Sequence, residues 1–371
     1  MCSAGAAHTL LELSFKEWDF AMLIHLFGSA MHAAENGILP DTVCRAGIRR
    51  LLSRRLQELE AGGVEAQNNR FRSFLKDCHK SPVAVVPELA NEQHYELPSE
   101  FFRTVLGRRL KYSCCEWDGD TVSLDQAEEA ALATTCKRAQ IEDGMTILEL
   151  GCGWGSLSLW MAERYPASRI LAVSNSASQR QFIQSRATDL GLTNLTVVTT
   201  DMNVFQTLQT FDRVVSVEMF EHMRNHRELL RRISTWLNPQ GKLFVHIFCH
   251  RLHSYLFETD GNSDWMAKHF FSGGMMPGES LLAHCQQHLE LSDRWRWDGR
   301  HYERTCNEWL KRQDANKEQL THLFRETYGP RQAVVWLNRW RMFFMACAEL
   351  FGFRNGSEWW VSHYLFERRA L

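Results

Sequence analysis

The chain has 371 residues, 44% of them hydrophobic and 23% charged, which suits one large core with additions or two domains. A formal net charge of −2 supplies no long-range field for nucleic acid or an anionic membrane, so neither is an expected partner. The eleven cysteines are odd in number, scattered and without a Cys-x-x-Cys pair, which argues against a disulfide framework or zinc cluster and fits reduced thiols in the cytoplasm.

Charges at Glu12, Lys16, Glu17 and Asp19 break the N-terminus where a signal peptide would be apolar. No apolar run approaches the ~20 residues needed to span a bilayer, so no stable membrane insertion is expected. Residues 10 to 75 carry apolar positions at helical spacing. Arg45, Arg49, Arg50, Arg54 and Arg55 read there as a solvated helix face, because Glu58 and Glu60 follow. Lys80–Pro87 reads as a connector. Helical character over residues 125–139 then gives way to five short β-branched runs: Thr146–Leu150, Arg169–Val173, Leu195–Thr199, Asp212–Val217 and Lys242–Ile247. Helix-length segments at Leu157–Arg164, Ala177–Leu190 and Arg227–Leu237 separate them, which is the pattern of βαβ units and a parallel sheet. Asn238-Pro-Gln-Gly reads as the turn before the fifth strand. Nine of the 13 tryptophans lie from Trp236 onward. The stretch from Glu358 reads as a final strand that pairs with Leu289–Trp297. The expected organisation is a helical region and active-site cover over 1–125, a core over 126–305, and a helical, aromatic-rich substrate region ending in a core strand over 306–371.

The first chemical signal is Leu148-Glu-Leu-Gly-Cys-Gly-Trp-Gly-Ser, between a strand and a helix. Gly151, Gly153 and Gly155 permit a tight turn and close ligand approach, and the helix behind favours an anion. A nicotinamide-dinucleotide loop needs glycine at the first, third and sixth positions; here the sixth, counted from Gly151, is Ser156. Glu149 would repel a pyrophosphate but receive an ammonium, so the loop suits the amino-acid end of S-adenosylmethionine (SAM). Ser174 and Asn175, with Gln179 one turn on, are neutral partners for ribose hydroxyls. Asp201, followed by Met202, stands where an acid accepts from an adenine amino group, or where it caps a helix.

The second signal follows the fourth strand. Glu218, Glu221 and His222 stand at i, i+3 and i+4, so a helix beginning here projects all three to one side. The carboxyl ends of parallel strands are where open α/β sheets bind ligands. Two acids and a histidine suit a cationic amine that must lose a proton before it attacks a sulfonium. As metal ligands they lack an evident fourth partner, so no metal is expected.

These residues closely resemble the coclaurine N-methyltransferase-like enzymes of plants, a group within the cyclopropane fatty acid synthase superfamily. The resemblance spans roughly residues 94–367, through blocks such as Leu110-Lys-Tyr-Ser-Cys-Cys, Glu218-Met-Phe-Glu-His-Met, His246-Ile-Phe-Cys-His and Phe270-Phe-Ser-Gly-Gly. It implies a class I SAM-dependent methyltransferase fold: Rossmann-like, doubly wound and mostly parallel, with an N-terminal helical region and a C-terminal helical, aromatic insertion. It implies cofactor contacts at Tyr112, Ser113, Gly151, Gly153, Ser174, Gln179 and Asp201, and catalytic roles for Glu218, Glu221 and His222. Tyr95, Trp340 and Phe344 become pocket walls. The implied reaction is N-methylation of a small aryl-alkyl amine such as a benzylisoquinoline or phenylalkylamine, releasing S-adenosylhomocysteine (SAH), by a monomer or homodimer. The lipid enzymes resemble Gly-Met-Phe-Glu-His at the central cluster, where this chain has Glu218, and place a tyrosine near Phe343-Phe344. Cys114, Glu221 and His246 nonetheless match their bicarbonate-site positions, so cyclopropane synthesis on phospholipid is the alternative. A non-catalytic SAM-binding module is the third reading.

Overall fold

The computed structural model describes residues 28–85, 97–257 and 265–369. Its centre is a seven-stranded sheet of β1 (Thr146–Leu150), β2 (Arg169–Ser174), β3 (Leu195–Thr199), β4 (Phe211–Val217), β5 (Leu237–His250), β8 (Leu289–Trp297) and β9 (Trp359–Arg368). A separate two-stranded ribbon pairs β6 (Tyr255–Leu256) with β7 (Met275–Met276). The order in the large sheet is β3-β2-β1-β4-β5-β9-β8. The first five strands are parallel, and β9 runs antiparallel between β5 and β8.

Both sheet faces are covered, which is why the parallel strands read as continuous apolar runs. Leu148 and Leu150 of β1 pack on one side with Val214, Leu243 and Val245. Ile147 packs on the other with Val215 and Phe244. The covering helices include α4 (Leu124–Arg138), α5 (Ser156–Arg164), α6 (Ala177–Asp189) and α7 (His226–Trp236). Side chains cap three of these: Ser123, Ser176 and Asn225 accept from Gln126, Gln179 and Glu228 amides. Such caps satisfy donors that the first helical turn leaves open.

Two expectations about the fold fail locally. Asn238–Gly241 is no turn before the fifth strand; it is an irregularity within β5, whose partners jump from Phe211↔Leu237 to Arg213↔Lys242. The extra residues leave the ladder as a bulge, and Asn238 Nδ2 donates to Asp212 Oδ1 at 2.7 Å. Nor does a helix begin at Glu218. The chain makes one 3₁₀ turn at Phe220–His222, and the true helix α7 starts at His226.

On the N-terminal side lie α1 (Asp41–Glu60), α2 (Gly63–Lys80) and the short α3 (Ser99–Val105). Between β6 and β7 comes α8 (Trp265–His269), and α9 (Gly299–Ala315), α10 (Lys317–Tyr328) and α11 (Ala333–Gly352) form an insertion between β8 and β9. Arg45 and Arg49 are not simply solvated: both pair with Glu349, at 2.9 and 2.7 Å, and tie α1 to α11. Trp340 and Phe344 of α11 are fully buried with Phe101, Phe102 and Trp309. They are core residues, not pocket walls. Tyr95 lies outside the described residues. No helix among the described residues is long and apolar enough to cross a membrane.

Candidate active site

A cleft partly open to solvent lies at the carboxyl ends of the parallel strands. Gly151, Gly153, Ser174, Asn175, Gln179, Asp201, Met202, Glu218 and His222 all line it. Sequence spacing thus brought together residues from four separate strand ends.

On one side the wall is mostly backbone and neutral side chains. Gly151 has φ 81° and Gly153 φ 51°, left-handed values that suit glycine. A Cβ at Gly151 would stand 2.6 Å from Met219, whereas nothing lies within 4 Å of that position at Gly153. The loop leads into the N-terminus of α5, which favours an anion. Ser174 Oγ donates to Gln179 Oε1 at 2.7 Å, which fixes the amide's orientation. The buried Gln179 Nε2 is left without a protein acceptor. Asp201 Oδ1 accepts from the Asn203 amide at 2.8 Å, so it braces its own turn as well as lining the cleft.

Three expected cofactor residues are not part of that lining. The Glu149 side chain points away and accepts a hydrogen bond from Ser158 in α5. Burial pushes its carboxyl up to about 7. It anchors the helix to the strand and does not offer the cleft a carboxylate. Tyr112 packs between Phe102 and Trp309. Ser113 Oγ accepts from the buried Lys111 ammonium at 2.6 Å.

The opposite side is acidic and tightly held. Glu218 sits at φ 47°, a left-handed conformation that costs a non-glycine residue on the order of 1–3 kcal/mol. Its Oε1 accepts from the Cys114 amide at 2.9 Å and lies 3.1 Å from His246 Nε2. Its Oε2 accepts from the Tyr302 hydroxyl at 2.5 Å. Burial raises its carboxyl pKa, and Lys111, the Cys114 amide and the Tyr302 hydroxyl oppose the rise. A tyrosine hydroxyl therefore does reach the cluster, from α9 and not from the Phe343-Phe344 position. Glu221 is wholly buried beneath the lining, and burial together with the Glu218 charge pushes its carboxyl well above the usual range. Neither Glu221 oxygen makes a hydrogen bond of good geometry, although the Phe248 amide lies close. Burial lowers His222 to about 4, so its imidazole is neutral at physiological pH. It stacks on Phe271, with centroids 5.4 Å apart and planes 4° apart.

Several wall residues escaped the sequence reading. Ser272, Gly273 and Gly274 form one edge, and Ala84 another. The Ala84 segment is pinned there, since Asn203 bonds both its amide and its carbonyl. Phe270-Phe-Ser-Gly-Gly was visible as a matching block but not as a wall. Among the described residues no group of His, Cys, Asp and Glu is arranged to hold a metal.

The chain matches the mycolic acid cyclopropane synthetase family over residues 87–358. It is 38% identical over 339 residues to (S)-coclaurine N-methyltransferase of Thalictrum flavum subsp. glaucum, covering 90% of this chain and 94% of the relative. To the enzyme of that name from Papaver somniferum it is 34% identical, covering 90% and 96%. The crystal structure of coclaurine N-methyltransferase bound to N-methylheliamine and SAH superposes with TM-score 0.88 at 36% identity, covering 92% of this chain and 99% of that one. Glycine loop, orphaned Gln179 amide and Asp201 together fit the adenosyl and amino-acid groups that the SAH of that crystal structure shares with SAM. The chain belongs to the coclaurine N-methyltransferase family of SAM-dependent N-methyltransferases, inside the wider mycolic acid cyclopropane synthetase family.

Proposed function

We propose that this enzyme methylates the nitrogen of a small aryl-alkyl amine, a benzylisoquinoline, a phenylalkylamine or a similar alkaloid. The observation that carries the reading is the Glu218 carboxylate, braced by donors from three separate segments and facing the cleft. A carboxylate offers about four lone-pair sites, and three are taken, so one remains for an N–H of the acceptor. SAM supplies the methyl group. Gly151 and Gly153 cradle its amino-acid end, Ser174, Asn175 and Gln179 serve the ribose, and Asp201 with Met202 serves the adenine. Glu218 binds and orients the ammonium, and neutral His222 takes its proton, freeing the lone pair. Glu221, kept protonated, adds no second charge beside Glu218. Phe271 gives the aryl group an apolar face next to His222. All ten described cysteines are free, in keeping with a reducing cytoplasm.

The test is a SAM-dependent assay on a panel of aryl-alkyl amines, with unsaturated phospholipid vesicles as a parallel acceptor. Methylated amine is expected, with no cyclopropane product. Lipid product without amine product would overturn the reading.

A further inference from the structure

Behind Glu218 runs a line of hydrogen bonds that the reaction does not use directly. His246 Nε2 is 3.1 Å from Glu218 Oε1, His246 Nδ1 is 2.9 Å from His363 Nε2, and His363 Nδ1 is 2.7 Å from an Arg138 guanidinium nitrogen. Strand register creates the middle link, because His246 of β5 and His363 of β9 are direct cross-strand partners. Both imidazoles are fully buried, with Trp297 and Phe244 packed around them.

An arginine keeps its proton in proteins and has no acceptor, so it must donate to His363 Nδ1. That leaves His363 with its proton on Nε2, donating to His246 Nδ1. His246 in turn carries its proton on Nε2 and donates to Glu218. One fixed donor at the far end thus sets both tautomers, and every hydrogen bond points the same way. We propose that Arg138 and His363 are positioning residues for the amine-binding carboxylate of Glu218: through His246 they deliver a donor to it and hold it ionised and in place. This deepens the amine-binding reading of Glu218 and rests on it.

The same geometry argues against a proton exit. A proton arriving at His363 would have to sit on Nδ1, facing a cation that cannot move aside its own. The chain polarises; it does not conduct. The other charged or titratable groups around Glu218 are Lys111, Tyr302, His222, Glu221 and the thiols of Cys114, Cys115 and Cys306; around Arg138 they are Glu116, Asp118 and His301. A change at residue 138 also removes its charge from Glu116 and His301, so Arg138→Lys, which keeps that charge, separates this field effect from loss of the donor.

The first experiment uses ¹⁵N-histidine spectra of the intact enzyme. At neutral pH His246 and His363 are expected as Nε2–H tautomers with bare Nδ1; an Nδ1–H on His363 would sink the proposal. The second compares pH profiles of kcat/KM. Arg138→Met removes the donor and leaves a side chain of similar length to pack on Trp295 and Trp297. It is expected to lose roughly tenfold at pH 6, converging on the wild type towards pH 9, while Arg138→Lys stays close to the wild type. A Met variant that folds and keeps the wild-type profile overturns the proposal while leaving Glu218 as the amine site. Should it not fold, the tautomer spectra of the wild type and the Lys variant still decide. Loss of all activity dependence on Glu218 itself would instead count against the underlying reading.

Discussion

The two sides of the cleft are built on opposite principles. The cofactor side is mostly neutral, made of glycine backbone, hydroxyls, two amides and a single acid already bonded within its turn. The acceptor side concentrates a strained residue, two buried carboxyls, neutral histidines and a buried ammonium. A shared donor can be held by shape and hydrogen bonds that leave its charge largely to solvent. An amine must be stripped of water and a proton, and only preset buried charge does that.

That contrast can be broken most sharply at Glu218. Glu218→Gln keeps the shape and removes the charge, and kcat/KM is expected to fall about 10²–10³-fold with SAH affinity unchanged by calorimetry. His222→Ala is expected to cost about 10²-fold, mainly in kcat. Unchanged turnover in both would reject the assigned roles. On the cofactor side the effects are smaller and appear as stability or binding. Glu149 titrates near 7 when folded and near 4.5 when unfolded, so the folded state holds the extra proton between those values. Its contribution is present below 4.5 and lost as pH rises to 7, on the order of 3 kcal/mol. Glu149→Gln is expected to flatten that decline in denaturant titrations run from pH 5 to 8; an unchanged slope would refute it. Gly151→Ala forces a Cβ against Met219 at positive φ and is expected to cost about 1–3 kcal/mol of unfolding free energy. Gln179→Ala is expected to weaken SAH about tenfold with little effect on kcat.

The same contrast decides what the sequence could reveal. A glycine turn after a strand is a local requirement, so Gly151, Gly153 and the five parallel strands were readable from spacing. So were the final strand and its pairing with Leu289–Trp297. Glu218, Glu221 and His222 were readable as a cluster, but through a helix that does not form; the left-handed Glu218 leaves no local mark. Tyr302 and His363 were beyond reach because each arrives from a distant segment, one on α9 and the other through sheet order. Glu149 misled because an acid beside a ligand loop looks alike whether it faces the ligand or the helix behind. Trp340 and Phe344 misled because large aromatics at helical spacing pack in a core as readily as they line a cavity.

The placement of β9 has a consequence for how the enzyme is made. It lies between β5 and β8, yet it is synthesised last of the seven, after the whole α9–α11 segment. At ribosomal speeds of roughly 5–20 residues per second, β5 waits several seconds with an unpaired edge before its neighbour emerges. The nascent protein therefore passes through a stage in which five of its seven strands can pair and a bare edge is open to chaperones or to aggregation.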